Sequence, residues 1–250
     1  MERLYSLKIL RGEPGSQFWE TFPLRLLPSS NVISALMEIQ RNPVNAKGEK
    51  VTPVVWESGC LEEVCGSCSM LVNGRPRQAC SALILNLLNQ TESQEITLAP
   101  LTKFPLIRDL IVDRSSMFEN LKKVHAWIDA DTQKTEGYGP KIKPEQQQLL
   151  YTLSTCMTCG CCLEGCPQVN QRSSFMGPAV VSQVRLFNQH PAGKKEASIR
   201  LEVMMQEGGV AGCGKSMNCK EICPKNIPLT DSIAEINRSA TFQTFKKIFG

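Results

Sequence analysis

Histidine is almost missing from this chain, with two in 250 residues. That removes most imidazole-based catalysis and most histidine-rich metal sites. No serine nucleophile, paired-carboxylate site or glycine-rich phosphate loop stands out either. The longest apolar stretch, Ala82 to Leu88, falls far short of the roughly 20 residues that span a bilayer. The opening, Met1-Glu2-Arg3-Leu4-Tyr5, is charged and strand-like, so no signal peptide is expected. A net charge of +4, with the basic residues scattered, argues against nucleic acid as a partner. Internal repeats, beyond one paired cysteine run, and low-complexity segments are lacking too. What remains is a chain without a site for substrate chemistry of its own.

Cysteine is what the chain has instead: twelve, in short-spaced groups. Clustering of this kind points to metal in a reducing compartment rather than to a disulfide scaffold. The first group is Cys60-x4-Cys65-x2-Cys68, with Cys80 following after eleven residues. Its spacing is that of plant-type [2Fe-2S] ferredoxins. Gly59 and Gly66 let backbone amides approach cluster sulfurs. Four thiols without a neighbouring histidine argue against a Rieske centre.

The second group, Cys156-x2-Cys159-x2-Cys162-x3-Cys166-Pro167, is the bacterial ferredoxin run. In that run the fourth cysteine serves a different cluster. A matching half follows as Cys213-x2-Ser216-x2-Cys219-x3-Cys223-Pro224. Crossing gives Cys156, Cys159, Cys162 and Cys223 to a [4Fe-4S] cluster. It leaves Cys166, Cys213 and Cys219 to a site whose fourth position is Ser216. Three thiolates fit a [3Fe-4S] cluster; a serine alkoxide holding a fourth iron is the alternative. Zinc explains neither the Cys-Pro endings nor the unequal ligand counts. Cys161 is left over, expected as a buried cysteine pointing away from the cluster.

The pattern around these groups is α+β. Tyr5, Leu7 and Ile9 alternate, Phe18 to Leu24 forms a second strand, and Ser29-Ser30-Asn31 caps a helix carrying Val32, Leu36 and Ile39. Val54-Val55-Trp56 is expected as a buried strand, Asn73-Gly74 as a hairpin turn, and Ile96 to Leu98 as the last strand of a ferredoxin-like β-grasp. Helices are expected over Asp113 to Ile128, with His125 inside, and over Glu145 to Leu153. Gly137-Tyr138-Gly139-Pro140 reads as a loop before the latter. Further helices start at Pro178, with His190 at its end, stop at Gly208-Gly209, and begin at a Thr230-Asp231 cap. Both histidines are expected on the surface. The tail stripe of Phe242, Phe245 and Phe249 is expected to pack into the core, with docking on another chain as the alternative. The expected division is a [2Fe-2S] domain over 1–102 and an all-α bacterial-ferredoxin-like domain over 103–250.

With its three cysteine groups, Asn31 to Ile39, Arg108-Asp109-Leu110 with Val112-Asp113, and Gly177-Pro178-Ala179, the chain resembles the iron–sulfur subunits of succinate dehydrogenases and fumarate reductases. The likeness is strongest to the menaquinone-using Gram-positive type. It implies a partner flavoprotein with FAD and electron relay through [2Fe-2S], [4Fe-4S] and [3Fe-4S] clusters. It also implies one or more membrane-anchor subunits, often with haem, and quinone at that interface, on the cytoplasmic face of the membrane. Ubiquinone-linked relatives carry a tryptophan after the Cys-Pro and a histidine beside the second group's first cysteine. Here Val169, Asn170 and Gln171 occupy the first neighbourhood and Gly214 follows Cys213, so that pocket is not expected.

Overall fold

A computed structural model describes residues 4–25, 27, 29–91, 93–129 and 141–249. The expected Gly137–Pro140 loop lies outside them, as do the first three residues. The chain forms two compact units, one of residues 1–114 with 159–161, the other of 115–158 with 162–250.

The first unit is built on strands β1 (Leu4–Arg11), β2 (Phe18–Arg25), β3 (Ser69–Val72), β4 (Arg75–Gln78) and β5 (Glu95–Ala99). Their order in the sheet is β2-β1-β5-β3-β4. Strand β5 does not close an edge; it pairs in parallel with β1 and antiparallel with β3 at the centre. Alternation places Tyr5, Leu7 and Ile9 on the buried face with Ile96 and Leu98. Against them pack Val32, Leu36 and Ile39 of α1 (Val32–Arg41). Of the three capping residues expected, Asn31 does the work. Its Oδ1 accepts from Ser34 N at 2.8 Å, and Ser34 Oγ accepts from Asn31 N at 2.9 Å, a reciprocal capping box. At Asn73 (φ 49°) and Gly74 (φ 73°) both turn residues are left-handed, as a two-residue hairpin demands.

One expectation fails here. Val54-Val55-Trp56 is not a strand, because its backbone partners lie elsewhere. Val55 N donates to Asp109 Oδ2 at 2.8 Å and Val55 O accepts from Leu110 N at 3.2 Å. The apolar stretch from Ala82 to Leu88, given no element in the sequence reading, lies largely in a helix, α2 (Ile84–Gln90), burying Ile84, Leu87 and Leu88. A short hairpin, β6 (Leu106–Arg108) and β7 (Ile111–Val112), follows β5. Between those strands Asp109 takes φ 48° and gathers Gly12 N at 2.7 Å and the Arg11 guanidinium at 3.3 Å. Arg11 also pairs with Glu20 at 2.6 Å, so this buried charge is compensated.

The second unit is helical: α3 (Ser115–Lys123), α4 (Pro144–Ser154), α5 (Cys161–Glu164, crossing into the first unit at Cys161), α6 (Pro178–Gln189), α7 (Ala197–Met205), α8 (Asn218–Ile222) and α9 (Leu229–Phe249). Helix α3 is shorter than expected. His125 adopts φ 50° and turns the chain away, so it follows the helix rather than sitting inside it. Its carbonyl and that of Trp127 accept from Arg200, at 2.8 Å each. Arg200 is fully buried and also reaches Gly193 O at 2.7 Å and Glu196 at 2.6 Å. Helix α6 begins at Pro178, where a missing amide costs nothing, and Val180, Val181 and Val184 are buried on the core. Helix α9 starts at Leu229, after Pro228, so Thr230 and Asp231 lie in its first turn rather than capping it. Ile233 and Ile236 face inward as expected. The tail does not: Phe242, Phe245 and Phe249 are 67%, 56% and 80% exposed. Core packing of that stripe is therefore wrong; the side of the α9 tail that meets α7 carries Gln243, Thr244 and Lys247, which bond to Ser198, Met205 and Glu202. Among the described residues, no helix is long and apolar enough to cross a membrane.

Candidate metal centres

The first cysteine loop turns its backbone amides onto sulfur. Glu62 N, Val64 N and Cys65 N point at Cys60 Sγ at 3.4, 3.2 and 3.2 Å. Cys60 N and Ser67 N point at Cys65 Sγ at 3.4 and 3.5 Å. Left-handed backbone at Leu61, Glu63 and Gly66 makes this possible, by forming the concave amide arrangement that receives anions. A Cβ on Gly59 would crowd Cys65 Sγ at 3.1 Å, so the sulfur would have to give by a few tenths of an ångström. The Ser67 hydroxyl, 3.4 Å away, and the amides together pull the Cys65 thiol down to about 6. Burial pushes Cys68, which neighbours Cys80, up to about 12; binding iron would deprotonate it outright. Asn31 Nδ2 donates to Cys80 O at 2.9 Å, and Ser81 Oγ donates to Glu63 at 2.6 Å, so the helix cap and the loop hold Cys80. A donor set of amides aimed at sulfur fits an anionic sulfide-bridged group.

The third expected set comes together in the second unit. Cys166, Cys213, Ser216 and Cys219 line one cavity of about 480 Å³, closed on other sides by Pro178, Val210, Ile233 and Asn237. Lys215 and Met217 are left-handed, and Lys215 N points at Cys213 Sγ at 3.4 Å. Burial, with the neighbouring Cys166 and Cys213 thiols, pushes Cys219 up to about 11. Ser216 therefore stands on the wall where the sequence leaves a thiol out. A Cβ on Gly214 would meet Gln168 Nε2, the far end of a flexible side chain, at 2.5 Å, so Gln168 would have to swing aside for any side chain there.

Of the second set, Cys156, Cys162 and Cys223 belong to the second unit, and Cys159 is grouped with the first. Cys159 and Cys162 are buried, Cys156 and Cys223 half-buried. Thr158 (φ 51°) and Gly160 (φ 88°) bend that run, and Phe104 packs where a Cβ on Gly160 would stand. Cys161 is fully buried, and Gln78 Nε2 donates to its sulfur at 3.6 Å. A hydrogen bond from Cys161 brings the Cys159 thiol down to about 7, with the Arg114 charge helping. Among the described residues no three Cys, His, Asp or Glu side chains converge closely enough to grip a single metal ion.

Gln78, Arg114 and Ser67 are contributors that sequence reasoning missed. Gln78 stands two residues before Cys80 and Arg114 directly after Val112-Asp113, positions with no spacing signal of their own.

A family model described as a 2Fe-2S iron-sulfur cluster binding domain matches residues 6–119, and a 4Fe-4S dicluster domain matches 152–227. The chain is 58% identical over 92% of its length, and 89% of the relative's, to the succinate dehydrogenase iron-sulfur subunit of Bacillus subtilis. It is 31% identical to the fumarate reductase iron-sulfur subunit of Wolinella succinogenes, over 95% of this chain and 98% of that one. In fold it matches a chain of the Mycobacterium smegmatis Sdh1 complex in the apo form, at TM-score 0.83 and 22% identity, covering 98% of both. Cysteine loops, sheet and helical domain together place this chain in the succinate dehydrogenase iron–sulfur subunit family.

Proposed function

We propose that this chain is the electron-transfer subunit of a succinate:quinone oxidoreductase, passing electrons from a flavoprotein carrying FAD to quinone at a membrane-anchor subunit. When bound, iron–sulfur clusters supply one-electron steps with little nuclear rearrangement. Cys60, Cys65, Cys68 and Cys80 hold the [2Fe-2S] group, its sulfurs met by the amides of the 60–67 loop. Cys156, Cys159, Cys162 and Cys223 hold the [4Fe-4S] group. Cys166, Cys213 and Cys219 would hold the [3Fe-4S] group, with Ser216 on the wall of the same cavity. The [2Fe-2S] domain over 1–102 carries the first four ligands and the helical domain over 103–250 the others; residues 103–114 and 159–161 group with the first compact unit.

The observation that carries this reading is the cavity lined by three thiols and Ser216, which matches the unequal ligand count. Quinone is menaquinone in this reading, supported by Val169, Asn170 and Gln171 after the Cys-Pro and by Gly214 after Cys213, where ubiquinone-linked relatives carry tryptophan and histidine. The subunit sits peripherally on the cytoplasmic face, held by an anchor that carries haem. The 31% identity to a fumarate reductase subunit favours one second reading, the same wire run toward fumarate. Anaerobic analysis of the purified complex should return iron with acid-labile sulfide. Stoichiometric zinc in place of iron would overturn the proposal.

A further inference from the structure

Arg114 reaches three carbonyls on two cysteine loops. Nη1 donates to Gly66 O at 2.6 Å and, at longer range, to Cys159 O at 3.5 Å; Nη2 donates to Ser67 O at 3.4 Å. Gly66 and Ser67 lie between the ligands Cys65 and Cys68, and Cys159 is itself a proposed ligand. All of these residues belong to one compact unit. The Arg114 side chain is 17% exposed, and its carboxylate neighbour, Glu57 at 3.6 Å, is 47% exposed. The cation is thus more buried than the anion that offsets it, and solvent screens Glu57 more than Arg114.

Resting on the cluster reading above, we propose that Arg114 is a positioning and charge-tuning residue for the first two clusters, tying their loops together and raising both reduction potentials. Each electron that enters a cluster adds negative charge beside this guanidinium. A nearby cation stabilises the reduced form, more strongly where water is scarce. The fork geometry suits the clamp, since several planar N–H groups can serve separate carbonyls at once. The third set, whose cavity belongs to the other unit, serves as the internal reference.

The test is an EPR-monitored redox titration of the intact purified complex. Arg114→Gln should lower the one-electron reduction constants of the first two clusters about tenfold, or about 59 mV, and leave the third unchanged. Arg114→Lys keeps the charge and should restore most of that loss. Glu57→Gln, at an exposed position, should move both constants upward. Should Arg114→Gln fail to assemble, Glu57→Gln carries the test alone. Unchanged potentials in the assembled variants, a fall in Glu57→Gln, or an equal shift of all three clusters would overturn the proposal. Loss of the three signals from the unaltered complex would overturn the cluster reading instead.

Discussion

Ser216 separates this chain from a two-cubane ferredoxin, and its effect is legible at the level of one atom. A thiolate at that position would supply a fourth soft ligand to the cavity that Cys166, Cys213 and Cys219 share. Ser216→Cys should therefore abolish the EPR signal of the air-oxidised protein at this site, as a four-iron group takes its place. An unchanged signal would mean that position 216 does not face the open corner. Cysteine spacing supplies the proposed ligands; the backbone around them is not readable from spacing. Leu61, Glu63, Lys215 and Met217 take left-handed backbone without being glycine, and nothing in their identity announces it. Arg200 is a similar case. Fully buried, it donates to the carbonyls of His125, Trp127 and Gly193, which lie in separate stretches of the chain. Arg200→Met should cost about 1–3 kcal/mol or more, the penalty for leaving a buried carbonyl without its donor, measured as a lowered denaturant midpoint. A loss under 1 kcal/mol, the scale of an exposed pair, would contradict this account.

At the level of elements, propensity and pattern located α1, β1, β2 and the Asn73-Gly74 hairpin because local chemistry and tertiary packing agree there. Prediction failed where long-range partners decide. Val54 to Trp56 reads as a strand, yet Asp109 and Leu110, distant in sequence, take its backbone hydrogen bonds. Helix α3 ends where His125 turns left-handed to give its carbonyl to Arg200. The cap of α1 joins element to site, since Asn31 binds both Ser34 N and Cys80 O. Asn31→Ala should destabilise the first domain by about 1 kcal/mol for the cap and about as much for the lost bond to Cys80. The readout is the temperature at which the visible absorbance of the [2Fe-2S] group bleaches. Asn31→Ser, which keeps a capping oxygen but cannot reach with an amide, should recover about half. Full recovery would show that the Cys80 contact contributes nothing.

At the level of the whole molecule, burial is what the apolar tail of α9 lacks. Ala240 is buried, whereas Phe242, Phe245, Ile248 and Phe249 are exposed. The stripe has helical spacing, which composition alone cannot distinguish from a core face. The surface pair Lys247–Glu202, at 2.7 Å with both side chains about half exposed, contributes no more than about 1 kcal/mol. Deleting 241–250 should therefore leave iron content and thermal stability of the complex unchanged; loss of iron would return the tail to the core. The central claim, that electrons from succinate run through the thiol-lined sites of this chain, is tested most directly by EPR on the native complex isolated from membranes without air. A three-iron cluster in its oxidised form has half-integer spin, so its signal should be present before any reductant is added and should vanish on adding succinate. A signal that persists with succinate and disappears only with dithionite would contradict the account, because the wire would then take its electrons from another donor.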